Sequence, residues 1–483
     1  TLAAESDTSD SRGFQAPQTD VERLVAEVWA ETLGTEIGRD DNFFTLGGDS
    51  LTGTRMIATL RARGIKGSDL GGFFANPVLS AFAEQLTLGG DDFEPDAAPS
   101  VFADLDARYE PFPPTDVQRA YWLGRGHEFP LGGVGCYFYT EYDGEGIDIA
   151  RLETVFNTLI ERHNMLRAVF LPDGRQQILT DVPQFRIRVA DGCDSPDQAL
   201  ADLRGDMSQQ LLDTAAWPLF DIRAVRYRAD GRERVRLGMG MDSIIIDAYS
   251  MMLLLDELDR LYCDPTLKLK PLEFSFRDYV LGMRPDPDSV HASEEYWRQR
   301  AGELKPAPAL PLAVDPSTIH GPVFARRSRW ITQEQWSRLR EAARHHGVTV
   351  STVIAAAFGE VLAAWSENPE FTMNFTLFDR RPVHPEIDQV LGDFTSLILV
   401  GYRSAQGGSF LEAATQLQSR VGEGLAHSDV SALWVMREVA RRRAGEDVSM
   451  PVVFTSTVGV ASDAMGQLSF ADTVWGVSQT PQV

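Results

Sequence analysis

The chain has 483 residues, 43% of them hydrophobic, and a formal charge of -25 at pH 7. That length exceeds one ordinary core and implies two to four domains or lobes, while so acidic a balance leaves no basic stripe for nucleic acid or an anionic membrane surface. No apolar run nears the roughly 18 residues of a membrane span, and three scattered cysteines, Cys136, Cys193 and Cys263, lack metal or disulfide spacing, so they read as packing residues in a reducing cytoplasm, with no metal site expected.

The opening eighteen residues are polar, contain Pro, Gly and Ser, and begin without an initiator Met or a signal peptide. They read as a linker, disordered over residues 1–15, in a piece of a longer protein. A helix is predicted over 19–33, with Thr19 and Glu22 as a capping box, Val21, Leu24, Val25, Val28 and Trp29 at helical spacing, and Gly34 as its stop. Next comes Asp41-Asn42-Phe43-Phe44-Thr45-Leu46-Gly47-Gly48-Asp49-Ser50-Leu51, where two glycines permit a tight turn that delivers the Ser50 hydroxyl to the start of a helix over about 51–63. Free N–H groups and the positive dipole end there suit a phosphodiester, although a Ser before a helix also serves as a plain N-cap. A Phe73-Phe74 segment and a helix near 77–86 complete a small all-α four-helix bundle over 16–88.

Residues 89–110, rich in Gly, Asp, Pro and Ala, form a tether. From 111 to 285 the pattern is a first α+β lobe. Its elements are a strand at 136–142, an amphipathic helix carrying Leu152, Val155, Phe156, Leu159 and Ile160, a hairpin turned by Pro172-Asp173-Gly174, a strand to about 241, a loop to Asp247 and a helix through 261. A turn-rich break at 283–288 and a proline-rich stretch open a second lobe over 286–483, with helices near 334–346 and 351–366 and strands near 371–378, 396–402 and 452–457.

Residues 16–88 resemble the peptidyl carrier domain of a nonribosomal peptide synthetase, which implies covalent 4'-phosphopantetheine on Ser50. Later segments resemble, in order, the motifs of the heterocyclization domain family of the same synthetases: Phe112-Pro113-Pro114-Thr115-Asp116-Val117-Gln118-Arg119-Ala120-Tyr121-Trp122-Leu123-Gly124-Arg125, Arg162-His163-Asn164-Met165-Leu166-Arg167 and Asp242-Ser243-Ile244-Ile245-Ile246-Asp247-Ala248-Tyr249-Ser250. The third resembles the DxxxxDxxS element that stands there where ordinary condensation domains have HHxxxDG. Pro308-Ala309-Leu310-Pro311-Leu312, Val361-Leu362-Ala363-Ala364-Trp365-Ser366, Leu391-Gly392-Asp393-Phe394-Thr395-Ser396-Leu397, Pro451-Val452-Val453-Phe454-Thr455-Ser456 and Ser478-Gln479-Thr480-Pro481-Gln482 continue the series.

The resemblance implies two chloramphenicol-acetyltransferase-like lobes with a tunnel between them, fed by a carrier domain from each side. It implies condensation of a carrier-bound acyl or peptidyl donor with a Cys, or a Ser or Thr, on a downstream aminoacyl carrier, then cyclodehydration to a thiazoline or oxazoline in natural product biosynthesis. A phosphopantetheinyl transferase and neighbouring synthetase domains are the implied partners. Thr455 is implied in cyclodehydration, together with an Asp just beyond Gln482. The chain ends at Val483, so its second lobe reads as truncated and ring closure is expected to be impaired. Asp242 and Asp247 are the other catalytic candidates, although Asp in such a loop also caps or turns; Asp247 is expected to organise the tunnel through an arginine, with Arg167 as candidate. Asn374, Asp393, Ser456 and Gln479 are expected along the tunnel, Asp379 stands where relatives have Asn, and His163 reads as a hydrogen-bonded structural histidine. The alternatives are an amide-forming condensation domain without ring closure and a non-catalytic carrier-docking scaffold.

Overall fold

The computed structural model describes residues 14–48, 52–53, 56–57, 59–60, 63–68, 70–88, 101–127, 131–405, 407–443, 448–459 and 466–480. They fall into two compact units, one drawn from Thr1–Ala97, Gln333–Ile354 and Ala414–Ala426, the other from Ala98–Thr332, Ala355–Ala413 and His427–Val483.

In the first unit the opening helix runs Asp20–Leu33, with the Thr19 hydroxyl accepting from the Glu22 N–H and Gly34 closing it at φ 69°. Glu22 accepts from the Gln18 N–H at 2.6 Å and holds Arg39 at 3.1 Å, which ties the helix start to the following loop. The core is aromatic: Trp29 meets Phe43, Phe43 meets Phe73 and Phe73 meets Phe82 edge to face, with centroids 5.0, 5.0 and 5.2 Å apart. The helix expected over 77–86 is confined to Leu79–Ala83. It stops early because Thr87 and Leu88 leave it to pair antiparallel with Lys66 and Ile65.

Gly48 sits where a Cβ would stand 2.1 Å from the Phe43 ring, and Gly47 before it has φ 103°. Both glycines are therefore required by space or by backbone conformation. Gly48→Ala is expected to destabilise this core by about 1–3 kcal/mol through overpacking. The check is amide hydrogen exchange along Asp20–Leu33, where protection should fall.

The second unit contains two sheets of three or more strands among the described residues. Strands β1 (Tyr137–Glu145), β2 (Arg188–Asp191), β3 (Phe220–Ala229) and β4 (Arg232–Asp242) join β8 (Asp472–Gln479) in the order β8-β1-β4-β3-β2. Strands β5 (Glu370–Phe378), β6 (Thr395–Arg403) and β7 (Val453–Phe454) form the other, in the order β6-β5-β7. β8 comes from the sequence expected to belong to the second lobe, yet it pairs antiparallel with β1, Gln479 opposite Tyr137. Helices Ile149–Arg162 and Ala248–Cys263 bury Phe156, Leu159, Leu254 and Leu258 in one core with Phe220 and Leu237 of the larger sheet. Their stripes of apolar residues at helical spacing are what the sheet covers.

The Pro172-Asp173-Gly174 hairpin forms as predicted, pairing Ala168–Phe170 with Gln176–Ile178 and placing Gly174 at φ 82°. The strand expected over 452–457 shrinks to β7, because Thr455 and Ser456 turn their hydroxyls to Thr376 and to the Val458 N–H instead of extending the ladder. Cys136 is buried as a packing residue, whereas Cys193 and Cys263 are exposed, which corrects that expectation for two of the three. No single helix among the described residues is long and apolar enough to cross a membrane.

Candidate active site

The DxxxxD loop leaves β4 at Asp242 and enters a helix at Asp247. Asp242 is 0% exposed and is held by the Arg125 guanidinium, while its Oδ1 accepts from the Ile244 N–H at 3.1 Å. Burial pushes its carboxyl above the usual carboxylate range, and Arg125 opposes the rise. Arg125 is itself aimed by donating to the Leu212 carbonyl at 2.7 Å.

Asp247 caps the helix Ala248–Cys263, its Oδ1 accepting from the Ser250 N–H at 2.6 Å. Its Oδ2 accepts from the Phe394 N–H at 3.1 Å, and its own N–H donates to the Gly392 carbonyl at 3.0 Å. Ser250 adds a second link, its hydroxyl donating to the same carbonyl at 2.9 Å. These bonds fasten the loop after β4 to the Gly392–Phe394 segment before β6.

The arginine beside Asp247 is Arg380, 3.6 Å from Oδ1, with its guanidinium over the Phe394 and Tyr249 rings at 4.0 and 4.5 Å. Arg167, expected in that place, is not the partner. It lies in the turn Asn164–Arg167, and its donors are taken by the Ile160, Leu179 and Thr180 carbonyls and by Asn164 Oδ1. Its work is to brace the neighbouring hairpin.

Asp393 is 0% exposed, with Oδ1 accepting from the Thr395 N–H at 3.2 Å. Burial, reinforced by Asp247 and Asp242 nearby, pushes its carboxyl up to about 8. The same cluster reaches Cys136, whose thiol burial pushes up to about 12 and whose Sγ lies 3.8 Å from the Thr480 hydroxyl. Asn374 lies on β5 and donates its N–H to the Val452 carbonyl at 2.9 Å, which holds the segment entering β7. Gln479 on β8 donates to the Gln210 carbonyl at 3.2 Å.

Three aspartates expected separately are thus brought together. Thr455 shares no hydrogen bond with them among the described residues: it is exposed just past β7, with its hydroxyl donating to Thr376 at 2.9 Å. Ser456 accepts from the Val458 N–H at 3.3 Å. His163 is buried with Nε2 2.6 Å from Glu257, the structural role foreseen for it. Asp379 is engaged by Arg381 Nε at 3.2 Å. Ser50 lies outside the described residues, and the glycine turn before it is the part of the attachment site that the structure describes. That turn fits a phosphopantetheine site, since only glycines satisfy its φ and its spacing from Phe43.

Sequence reading missed Arg125 and Arg380 as partners of the two aspartates. Arg125 ends the opening motif, which was a usable signal; Arg380, 133 positions beyond Asp247, gave none short of three-dimensional contact.

Comparison with known proteins identifies the family. Residues 138–474 match the condensation domain family, and residues 23–86 match the phosphopantetheine attachment site. Pyochelin synthetase PchF of Pseudomonas aeruginosa is 36% identical over 80% of this chain, and phenyloxazoline synthase MbtB of Mycolicibacterium paratuberculosis is 33% identical over 95% of it. The EpoB cyclization-docking bidomain of a nonribosomal peptide synthetase from Sorangium cellulosum superposes with a TM-score of 0.73 at 36% identity, covering 79% of this chain and 77% of that one. The chain therefore belongs to the condensation domain family. More particularly, it is a carrier domain followed by a condensation domain of the cyclization kind from a nonribosomal peptide synthetase. It spans 22% of PchF and 40% of MbtB.

Proposed function

We propose that residues 16–88 are a four-helix carrier bearing the upstream acyl or peptidyl donor on phosphopantetheinyl-Ser50, and that lobes over 111–285 and 286–483 join that donor to a carrier-bound Cys, or Ser or Thr, and close a thiazoline or oxazoline. The observation that carries this reading is the state of the DxxxxD loop: each of its aspartates already has an arginine, so neither stands ready as a strong base. The bound arm supplies a thiol that holds acyl groups as thioesters.

Amide formation then rests on placement. The acceptor's α-amine has a reference pKa of about 7.7–8.0, so much of it is neutral near pH 7.5 without help from the protein. Two substrates confined together gain effective molarity, worth several kcal/mol of barrier. Asp247 and Arg380 serve here by fixing the loop, while Asn374, Ser456 and Gln479 line the passage. Ring closure needs more: the side-chain thiol or hydroxyl adds to the new amide carbon, and the carbonyl oxygen leaves as water after gaining two protons, one from the attacking group and one from the amide nitrogen. Thr455 is the residue assigned to that proton traffic. Phosphopantetheinyl transferase and a downstream aminoacyl carrier are the partners, in the cytoplasm.

The test is mass spectrometry of intact carriers. After arm transfer from coenzyme A and donor loading, a cysteinyl carrier should gain the donor mass and then lose one water. Gain without loss of water identifies an amide-forming domain, and no transfer at all identifies a docking scaffold.

A further inference from the structure

The buried side-chain atoms left without a hydrogen-bond partner among the described residues include Asn374 Oδ1 on β5 and, on the motifs that define the site, Asp393 Oδ2 and Gln479 Oε1. Folded proteins pair nearly all such atoms, so each orphan needs a physical reason, and a catalytic role is one of them. Asp393 is the most informative of them. It is 0% exposed, it sits beside Asp242 and Asp247, and it has no cation of its own among the described residues, whereas each neighbour has an arginine.

A carboxyl under those conditions favours its protonated form at neutral pH. Removing the charge from water without a counter-ion costs far more than taking up a proton, and two like charges nearby add to that cost. Asp393 is therefore a carboxylic acid at neutral pH, in keeping with a carboxyl pushed up to about 8. An acid has a donor. Its Oδ1 accepts from the Thr395 N–H, which leaves Oδ2, the oxygen without a hydrogen bond among the described residues, to carry the proton. A buried O–H without an acceptor is destabilising, and that cost disappears when a carbonyl oxygen arrives.

We propose that Asp393 is a catalytic residue of amide formation, its Oδ2–H donating to the carbonyl oxygen of the tethered donor as the amine adds to that carbon. This rests on the condensation reading given above. The C–N bond forms, negative charge gathers on the oxygen against the Oδ2–H, and collapse breaks the C–S bond. The proton lost by nitrogen ends on the departing sulfur, and Asp393 keeps its own. A donor already oriented inside a dry site stabilises such an oxyanion better than water does. Its position beside the Asp242–Asp247 loop, with Thr455 hydrogen-bonded elsewhere, assigns it to the first step and leaves ring closure to Thr455.

The experiment compares wild type, Asp393→Asn and Asp393→Leu in the full chain. Asn retains an N–H donor of similar shape, so single-turnover amide formation at pH 7 should stay within about tenfold of wild type, while Leu should lose about 10²–10³-fold. Above pH 8 the wild-type rate should fall as the acid ionises, whereas the Asn variant should keep rising with the amine and then level off. A second readout needs no substrate. A carboxyl raised in the folded state contributes stability that is complete below about pH 4 and lost as pH rises toward 8, so the Tm of Asp393→Asn relative to wild type should climb between those values and then plateau. A flat Tm difference, or a Leu variant as fast as wild type, overturns the assignment. Absence of amide from wild type itself would instead overturn the condensation reading.

Discussion

Arg125→Met is expected to destabilise the second unit by about 3–5 kcal/mol, because it strands the Asp242 carboxylate where no solvent reaches it. The loss exceeds the worth of the ion pair, since it includes the cost of a buried charge with nothing opposite. Replacing both partners, Arg125→Met with Asp242→Asn, should recover most of it, as the amide oxygen still accepts from the Ile244 N–H. The sign with pH follows from the raised Asp242 carboxyl. Loss of Arg125 removes the main influence holding it down, so in the variant the folded state binds a proton that the unfolded chain, with an aspartate near 3.9, gives up. Stability of Arg125→Met should therefore be nearest wild type at about pH 4 and fall away as pH rises toward 7. Urea unfolding at both pH values measures it, and a deficit independent of pH would mean that shape, not charge, accounts for the loss.

What could be read in the sequence follows the range of each interaction. The Asp20–Leu33 helix, the Gly174 hairpin and the Asp247 cap are set within a few residues, and each appears where spacing and capping placed it. Thr87 and Leu88 broke the pattern because their partners, Ile65 and Lys66, lie far back in the chain. β8 is the larger case: nothing local in Asp472–Gln479 says that it completes a sheet begun at Tyr137. The site shows the same division. Motif order named Asp242, Asp247 and Asp393, but which arginine answers which aspartate depends on how two distant segments pack, and Arg167 was the plausible nearby choice whose donors had already been claimed by its own hairpin.

Asp247→Asn tests whether that aspartate is scaffold or chemistry. An asparagine has one oxygen for the Ser250 and Phe394 N–H groups that two carboxylate oxygens now serve, and its NH2 must face either the Phe394 N–H or the Ser250 N–H together with Arg380. Donor meets donor in either rotamer. The Gly392–Phe394 segment should shift, taking Asp393 with it, and a displacement of about 1 Å at reacting groups costs about 10²-fold in rate. Amide formation should drop by that order while arm attachment at Ser50, which lies in the other unit, proceeds as before. Thr455→Ala should do the reverse of this, sparing the amide and slowing loss of water, since its hydroxyl shares no hydrogen bond with Asp247. If Asp247→Asn instead left the amide rate intact and slowed only dehydration, the carboxylate would be moving protons in ring closure, and its bonds to Ser250 and Phe394 would be the means of aiming it.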